Sequence, residues 1–284
     1  MAVLHGRFAV QFRLHATLFG GVWLCRDLQD NNRTVAVKQM DLTFARQAVA
    51  RNLHLDNPWT ESRTLDTLTA LDRYDNIVQV YQQFQQGDSW FIVMEYCDEG
   101  DLWQELERQP HQRYPEAQAL QLFAQIASGV QILHANSIAH RDLSLENVLL
   151  SHKGDGIATP KICDFGLSTK TDHLCRERVG KAYYMAPEVV AGVKYDPKAV
   201  DVWSLGIILF VLLTGSPLTL IASETEKEFT VLKTFGVEAI LRAWEMDDLV
   251  SPLATDLLTK MLQTVPAHRL TVQEVVAHPA LNMP

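Results

Sequence analysis

Apolar and polar positions change their period twice along this chain. Residues 8–40 alternate and are rich in Val, Phe and Leu, with the clearest polar break between Asp27 and Arg33, which predicts strands joined by turns. Asn57-Pro58 then supplies a helix start, and Leu65, Leu68 and Leu71 follow at helical spacing. The stretch 41–56 is longer than a minimal connection and is expected to hold a short extra helix. Trp90-Phe91-Ile92-Val93-Met94 is an apolar run of buried-strand length that passes into the polar Cys97-Asp98-Glu99-Gly100.

Beyond residue 100 the period is helical. Leu120, Phe123, Ile126, Ala127, Val130 and Leu133 fall on one face of a helix over 116–135. Asp201-Val202-Trp203-Ser204-Leu205-Gly206 opens a helix that is apolar nearly all round, hence buried. Two more helices are expected at about 228–245 and 252–263. Strands first and helices afterwards predict an α+β fold.

Composition narrows the function classes. The 284 residues are 47% hydrophobic and 21% charged, which fits a soluble globular protein with ample core. A net charge of −9 argues against a nucleic-acid-binding surface. The four cysteines, at 25, 97, 163 and 175, show no close pairing and read as reduced thiols in a cytoplasmic or nuclear setting. Arg7 interrupts the apolar residues near the start, so no secretory leader is expected. The longest apolar run, Leu205 to Leu213, is too short to span a bilayer, and no membrane insertion is expected.

Candidate chemistry gathers around His140-Arg141-Asp142-Leu143-Ser144-Leu145-Glu146-Asn147. A loop carrying Asp142 and Asn147 can aim a carboxylate at a hydroxyl proton while the amide holds a metal. Cys163-Asp164-Phe165-Gly166 follows, and Val35-Ala36-Val37-Lys38 lies upstream. Taken singly, Lys38 reads as a solvated strand end, Glu61 as a residue favouring a helix dipole, and Asp101 as the cap before Leu102-Trp103.

In this order the segments resemble the eukaryotic protein kinase family of Ser/Thr type, whose patterns are V-A-I-K, H-R-D-L-x-x-x-N, D-F-G and A-P-E. The last is held by Gly180-Lys181-Ala182-Tyr183-Tyr184-Met185-Ala186-Pro187-Glu188, and the resemblance runs from Phe12 to about His278. It implies a bilobal kinase fold, with a small, mostly antiparallel β lobe over 1–95, a hinge at 96–99 and a large helical lobe over 100–284. It implies transfer of the ATP γ-phosphate to Ser/Thr hydroxyls of protein substrates with Mg2+ or Mn2+. Asp142 would be the base, Lys38 the phosphate-binding ammonium paired with Glu61, and Asn147 and Asp164 the metal ligands. Met94 would back the nucleotide pocket, with main-chain groups of Glu95 and Cys97 at the adenine edge and Asp101 at the ribose. Phe19 and Gly20 would present amides to the phosphates, and Leu14, Val22, Ala36 and Leu149 complete the nucleotide-binding set. Asp201 would hold the H-R-D backbone, and Arg269 would pair with Glu188.

Several positions depart from the family pattern. Of the Gly-rich loop G-x-G-x-x-G-x-V only Gly20 survives, with His15 and Thr17 at the first two places, so weaker ATP affinity is expected. Ser144 stands where most Ser/Thr relatives carry Lys, and Lys181 where they carry Thr. Together these changes return an ammonium to the side of Asp142; the alternative is a solvated Lys181. Glu177 offers Arg141 a carboxylate where many relatives need a phosphorylated residue; the alternative is a solvated Glu between Arg176 and Arg178. The loop lacks the tyrosine-kinase pattern, which favours Ser/Thr acceptors and leaves dual specificity open. Glu146 implies at most a modest preference for basic substrates. A pseudokinase acting as a nucleotide-binding scaffold is the competing reading, and a small-molecule phosphotransferase a third. A monomer is expected, with a regulatory partner left open and with control and targeting elements either absent or on other chains.

Overall fold

The computed structural model describes residues 2–51, 56–71, 74–152 and 158–282. Six strands form one antiparallel sheet: β1 (Val3–Leu4), β2 (Phe8–Thr17), β3 (Gly20–Asp27), β4 (Arg33–Asp41), β5 (Val80–Gln86) and β6 (Ser89–Glu95), in the order β1-β2-β3-β4-β6-β5. The period-2 pattern of β4 decides what each face does. Val35 and Val37 turn into a small core with Phe8, Cys25, Phe91 and Val93. Ala36 and Lys38 therefore project from the opposite face, toward the helices. Two register shifts in β2, at Val10/Phe12 and Arg13/His15, mark bulges that bend the strand.

The extra helix expected in 41–56 is α1 (Leu42–Ala50), capped by the Asp41 carboxylate, which accepts from the Thr43 and Phe44 amides. Residues 52–55 of that stretch lie outside the described residues. Next comes α2 (Pro58–Thr69), with Asn57 as cap and Pro58 in the first turn, where its missing N–H costs nothing. It ends at Thr69, so Leu71 lies beyond the helix rather than on its stripe.

The second layer is helical. It begins with α3 (Leu102–Arg108) and α4 (Glu116–Ala135), passes through the short strands β7 (Ile138–Ala139), β8 (Val148–Ser151), β9 (Thr159–Ile162) and β10 (Thr169–Lys170), and continues with α5 (Pro187–Val190) and α6 (Pro197–Thr214). This helix starts four residues before Asp201, because Asp196 accepts from the Lys198 amide and Pro197 opens the first turn. By length and composition α6 could cross a membrane, at mean hydropathy 1.6, but 89% of it is buried, and α4 and α9 (Pro252–Met261) pack against it as around a core helix. The single helix expected at 228–245 is instead α7 (Lys227–Phe235) and α8 (Val237–Ala243). Gly236 separates them at φ 80 and ψ 179, a conformation closed to side-chain-bearing residues. The last helix is α10 (Val272–Val276), opened by a Thr271/Glu274 capping box.

One buried ion pair locks the distal end of this layer. Arg269 Nη1 and Nη2 donate to the two Glu188 oxygens at 2.5 and 2.7 Å, and the guanidinium lies 5.0 Å from the Trp203 ring centre. Both residues are under 10% exposed, so losing one partner strands a charge. Glu188→Ala is expected to cost about 3–5 kcal/mol in urea unfolding; a loss below about 1 kcal/mol would contradict the pair's role.

Candidate active site

Asp201 organises the central loop. Fully buried on α6, it accepts the main-chain amides of His140 and Arg141 at 2.8 Å each, and His134 Nε2 lies 2.8 Å from the same carboxylate. These bonds hold Arg141 at φ 64, a left-handed conformation that costs a side-chain-bearing residue energy. Asp164 also adopts this conformation, at φ 63. Asn147 Nδ2 then donates to both the carbonyl and Oδ2 of Asp142, at 2.8 Å each. The other carboxylate oxygen, Oδ1, is buried and has no partner among the described residues. Burial pushes the Asp142 carboxyl above its ordinary value, against the pull of Lys181, His140 and Asn147.

Lys38 sits between two carboxylates. Its Nζ lies 2.7 and 2.9 Å from the Glu61 oxygens and 3.0 Å from Asp164 Oδ1. Burial works against the ammonium, but the charges of Asp164 and Glu61 outweigh it and raise its pKa. Burial likewise pushes Asp164 up, yet the charge and hydrogen bond of Lys38 dominate and hold it at about 2, so it is ionised at neutral pH. Two further contacts fasten α2 to the segment after Asp164. Thr64 Oγ1 lies 2.8 Å from Ser168 Oγ, and the Asn57 amide donates to the Gly166 carbonyl at 2.9 Å. Phe165, 2% exposed, shares one core with Leu65 and Leu68 of α2.

The donor set at the centre is one ionised carboxylate and one amide, with Lys38 on Oδ1 of Asp164 and the other oxygen clear of it. Among the described residues no cluster of three or more His, Cys, Asp or Glu exists that could hold a metal by itself. Hard oxygen donors in small number suit Mg2+, which completes its shell with water and phosphate oxygens.

The nucleotide side is assembled from both layers. Bonds from the Leu150 amide to Gly100 and from the Glu99 amide to Leu150 hold the connecting segment against β8. Ala36 and Cys97 are buried, Val22, Met94 and Leu149 half-buried, and Leu14 exposed on β2. The Glu95 side chain turns to Lys161 at 2.8 Å and accepts from the Gln79 amide at 2.6 Å, while the Glu95 amide donates to the Gln79 carbonyl at 2.9 Å and so is not open to a ligand. Asp101 acts as a cap: its oxygens take the Gln104 amide at 2.8 Å and the Gln104 side chain at 2.7 Å. The Phe19 side chain is turned into the core against Phe44, with ring centres 5.6 Å apart, so only its main chain remains for phosphate. The stretch around it is a hairpin with Leu18-Phe19 at the tip, Thr17 pairing with Gly20 and the exposed His15 with Val22.

Glu177 and Lys181 are among the residues that join the activation segment, Asp164 to Glu188, to the loop. Glu177 Oε2 accepts from Arg141 Nη1 at 3.1 Å, while Tyr195 OH donates to the Glu177 carbonyl at 2.7 Å. Lys181 Nζ donates to Ser144 Oγ at 2.6 Å and lies 4.0 Å from Asp142 Oδ2 and 3.9 Å from Glu146 Oε1. Neither Tyr195, nor the Thr64–Ser168 bridge, nor the Lys161–Glu95 pair carries a periodic signal that reading the chain in order would detect.

Comparison with known proteins agrees with this geometry. The family model of the protein kinase domain matches residues 17–281. Serine/threonine-protein kinase ATG1a of Arabidopsis thaliana is 33% identical over 288 residues, an alignment covering 100% of this chain and 43% of that protein. Calcium-dependent protein kinase 4 of Plasmodium falciparum is 32% identical over 269 residues, covering 93% of this chain and 47% of its own. Serine/threonine-protein kinase GIN4 of Saccharomyces cerevisiae is 36% identical over 214 residues, covering 74% of this chain and 18% of its own. The chain belongs to the protein kinase domain family, and it spans less than half the length of each of these relatives.

The retained glycine has a packing reason. A Cβ on Gly20 would lie 2.2 Å from the Gln39 carbonyl oxygen, backbone that cannot yield, whereas one on Gly21 would meet the Arg13 guanidinium at 2.7 Å. Gly20→Ala is expected to destabilise the protein by about 1–3 kcal/mol in thermal unfolding, and Gly21→Ala by less, because Arg13 can move. Equal losses would contradict this reading of the hairpin.

Proposed function

We propose that this chain is an active protein kinase that uses Mg2+-ATP to phosphorylate serine or threonine hydroxyls of protein substrates. The observation that carries the proposal is the buried Asp142 Oδ1, without a partner among the described residues, beside the Lys38–Glu61–Asp164 charge cluster. A module that only binds nucleotide needs no buried carboxylate oxygen without a donor; a base awaiting a hydroxyl does. The names of the relatives support Ser/Thr as acceptors.

In this reading Asp142 Oδ1 accepts the acceptor hydroxyl's hydrogen bond and aims its oxygen at the γ-phosphorus. A bond forms between that oxygen and phosphorus, the bond to the β–γ bridging oxygen breaks, ADP departs, and the hydroxyl proton passes to Asp142. Lys38 holds the phosphates through its ammonium, and Glu61 fixes Lys38. Asn147 and Asp164 would hold the Mg2+, which neutralises charge on the β- and γ-phosphates when bound. Residues 96–99 serve as the hinge between lobes at 1–95 and 100–284. The four free thiols support a reducing, cytoplasmic setting, and we treat the chain as a monomer. The Glu177–Arg141 contact docks the activation segment without modification.

The test is transfer from γ-labelled ATP to dephosphorylated casein and histones. Wild type is expected to phosphorylate them, and Asp164→Asn to lose ~100-fold or more; a wild type that binds Mg2+-ATP but transfers nothing would establish the scaffold reading instead. Protein free of phosphate at Thr169 and Thr171 is expected to be active, and Glu177→Ala to lower kcat by up to about fivefold, the worth of a part-exposed ion pair. An absolute requirement for phosphate at those threonines would overturn the docking role of Glu177.

A further inference from the structure

Phosphoryl transfer gathers charge on the γ-phosphoryl oxygens, and a fixed cation beside the acceptor hydroxyl stabilises it. Lys38 serves the opposite side of the cleft, pinned by Glu61 and Asp164. Arg141, although next to Asp142, is directed elsewhere: its Nε donates to the Leu167 carbonyl at 2.8 Å and its Nη1 to Glu177. The loop itself offers only the fully buried hydroxyl of Ser144. Among the described residues, the ammonium that reaches Asp142 arrives from a different segment, on Lys181.

Three observations show that this arrival is built. First, Gly180 adopts φ +98, and a Cβ there would sit 2.9 Å from the Arg141 carbonyl and 3.7 Å from Asp142 Oδ1. Glycine thus lets the segment lie directly on the loop. Second, Ser144 Oγ accepts from Lys181 Nζ at 2.6 Å, which anchors the long side chain. Third, an ammonium has three donors, and the anchor uses one. The carboxylates at 4.0 and 3.9 Å attract the charge without closing a short hydrogen bond, and the side chain is 36% exposed. Two donors remain for phosphoryl oxygens.

We propose that Lys181 is a catalytic residue whose ammonium contacts the transferring phosphoryl group, with Ser144 as its anchor, so that docking of the activation segment delivers a catalytic charge. This rests on the phosphoryl-transfer reading above. No proton leaves Lys181; it contributes charge to the same step, in which Asp142 takes the hydroxyl proton and ADP departs. In this arrangement a segment that undocks removes the cation as well as the substrate platform. Arg141, Glu177 and Tyr195 then act on the chemistry through Lys181.

The experiment compares wild type, Lys181→Ala, Ser144→Lys and the double variant Ser144→Lys/Lys181→Ala in the casein and histone assay, with Mg2+-ATP thermal-shift titrations confirming folding and nucleotide binding. Lys181→Ala is expected to lose ~100- to 1000-fold in kcat while its KM for ATP moves by less than about threefold, the split for an interaction made in the transition state. Removing the Lys181 side chain opens the space a lysine at 144 needs, so the double variant is expected to recover to within about tenfold of wild type. Glu177→Ala is expected to cost more in the wild-type background than in the double variant, whose cation no longer rides on the segment. A Lys181→Ala enzyme within a few-fold of wild type, or a double variant no better than Lys181→Ala, would overturn the catalytic role. Equal costs of Glu177→Ala in the two backgrounds would overturn delivery by the segment. Inactivity of wild type itself, measured beside Asp164→Asn, would sink the functional reading and is distinguishable from both.

Discussion

The Lys38 ammonium joins three parts of the chain that lie far apart in sequence: β4, which carries it, Glu61 on α2, 23 positions on, and Asp164, 126 positions on. Lys38 and Glu61 are shielded from water, so neither tolerates standing alone, while the Asp164 side chain stays 37% exposed to the cleft side. Two carboxylates this close repel, and the cation between them draws both toward the ionised form, holding Asp164 at about 2 while burial still pushes Glu61 up to about 7. Removing it would leave uncompensated buried charge, the condition that makes broken buried pairs costly. The position of α2 against the sheet, the rotation of Phe165 into the core and the ionisation of Asp164 therefore depend on one side chain. Thr64–Ser168 and the Asn57–Gly166 bond reinforce the same geometry.

The loop and the activation segment form a single electrostatic unit around Asp142. Asp201 fixes the loop's backbone, Asn147 fixes Oδ2 of Asp142, and Gly180 lets Lys181 come within 4.0 Å of that same oxygen. Ser144, which read alone looks like a missing charge, is the acceptor that positions a charge from elsewhere. The cation also lies 3.9 Å from Glu146, so that carboxylate has less attraction to spare for a basic substrate.

Much of this was legible in the chain because chemistry and period coincided. The alternation of Val35 and Val37 with Ala36 and Lys38 gives both the strand and the face on which Lys38 projects. Asn57-Pro58 announces α2, and the Asp142–Asn147 spacing announces the loop. Other features were decided by packing between distant parts. Phe19 sits in a stretch that aligns with a phosphate-binding loop, yet the apolar surface of α1, with Phe44, draws its ring into the core. Gly236 breaks an apolar pattern that reads as one helix, and Asp196-Pro197 starts α6 earlier than the apolar run shows. Asp101 reads in sequence as a cap that can also meet a ribose, and in the fold Gln104 donates to both its oxygens. The Lys161–Glu95 pair and the Tyr195–Glu177 bond join elements of unrelated period, so only their coordinates reveal them.

On the proposed function, the charge cluster built on Lys38 carries out phosphoryl transfer. Rapid-quench measurement of a single turnover, with saturating Mg2+-ATP and protein free of phosphate, tests it most directly beside Lys38→Met. Wild type should transfer phosphate in one resolved phase, and Lys38→Met should slow that phase by ~100- to 1000-fold, the effect of losing one preorganised charge. A Lys38→Met protein that folds and transfers at the wild-type rate would contradict the claim.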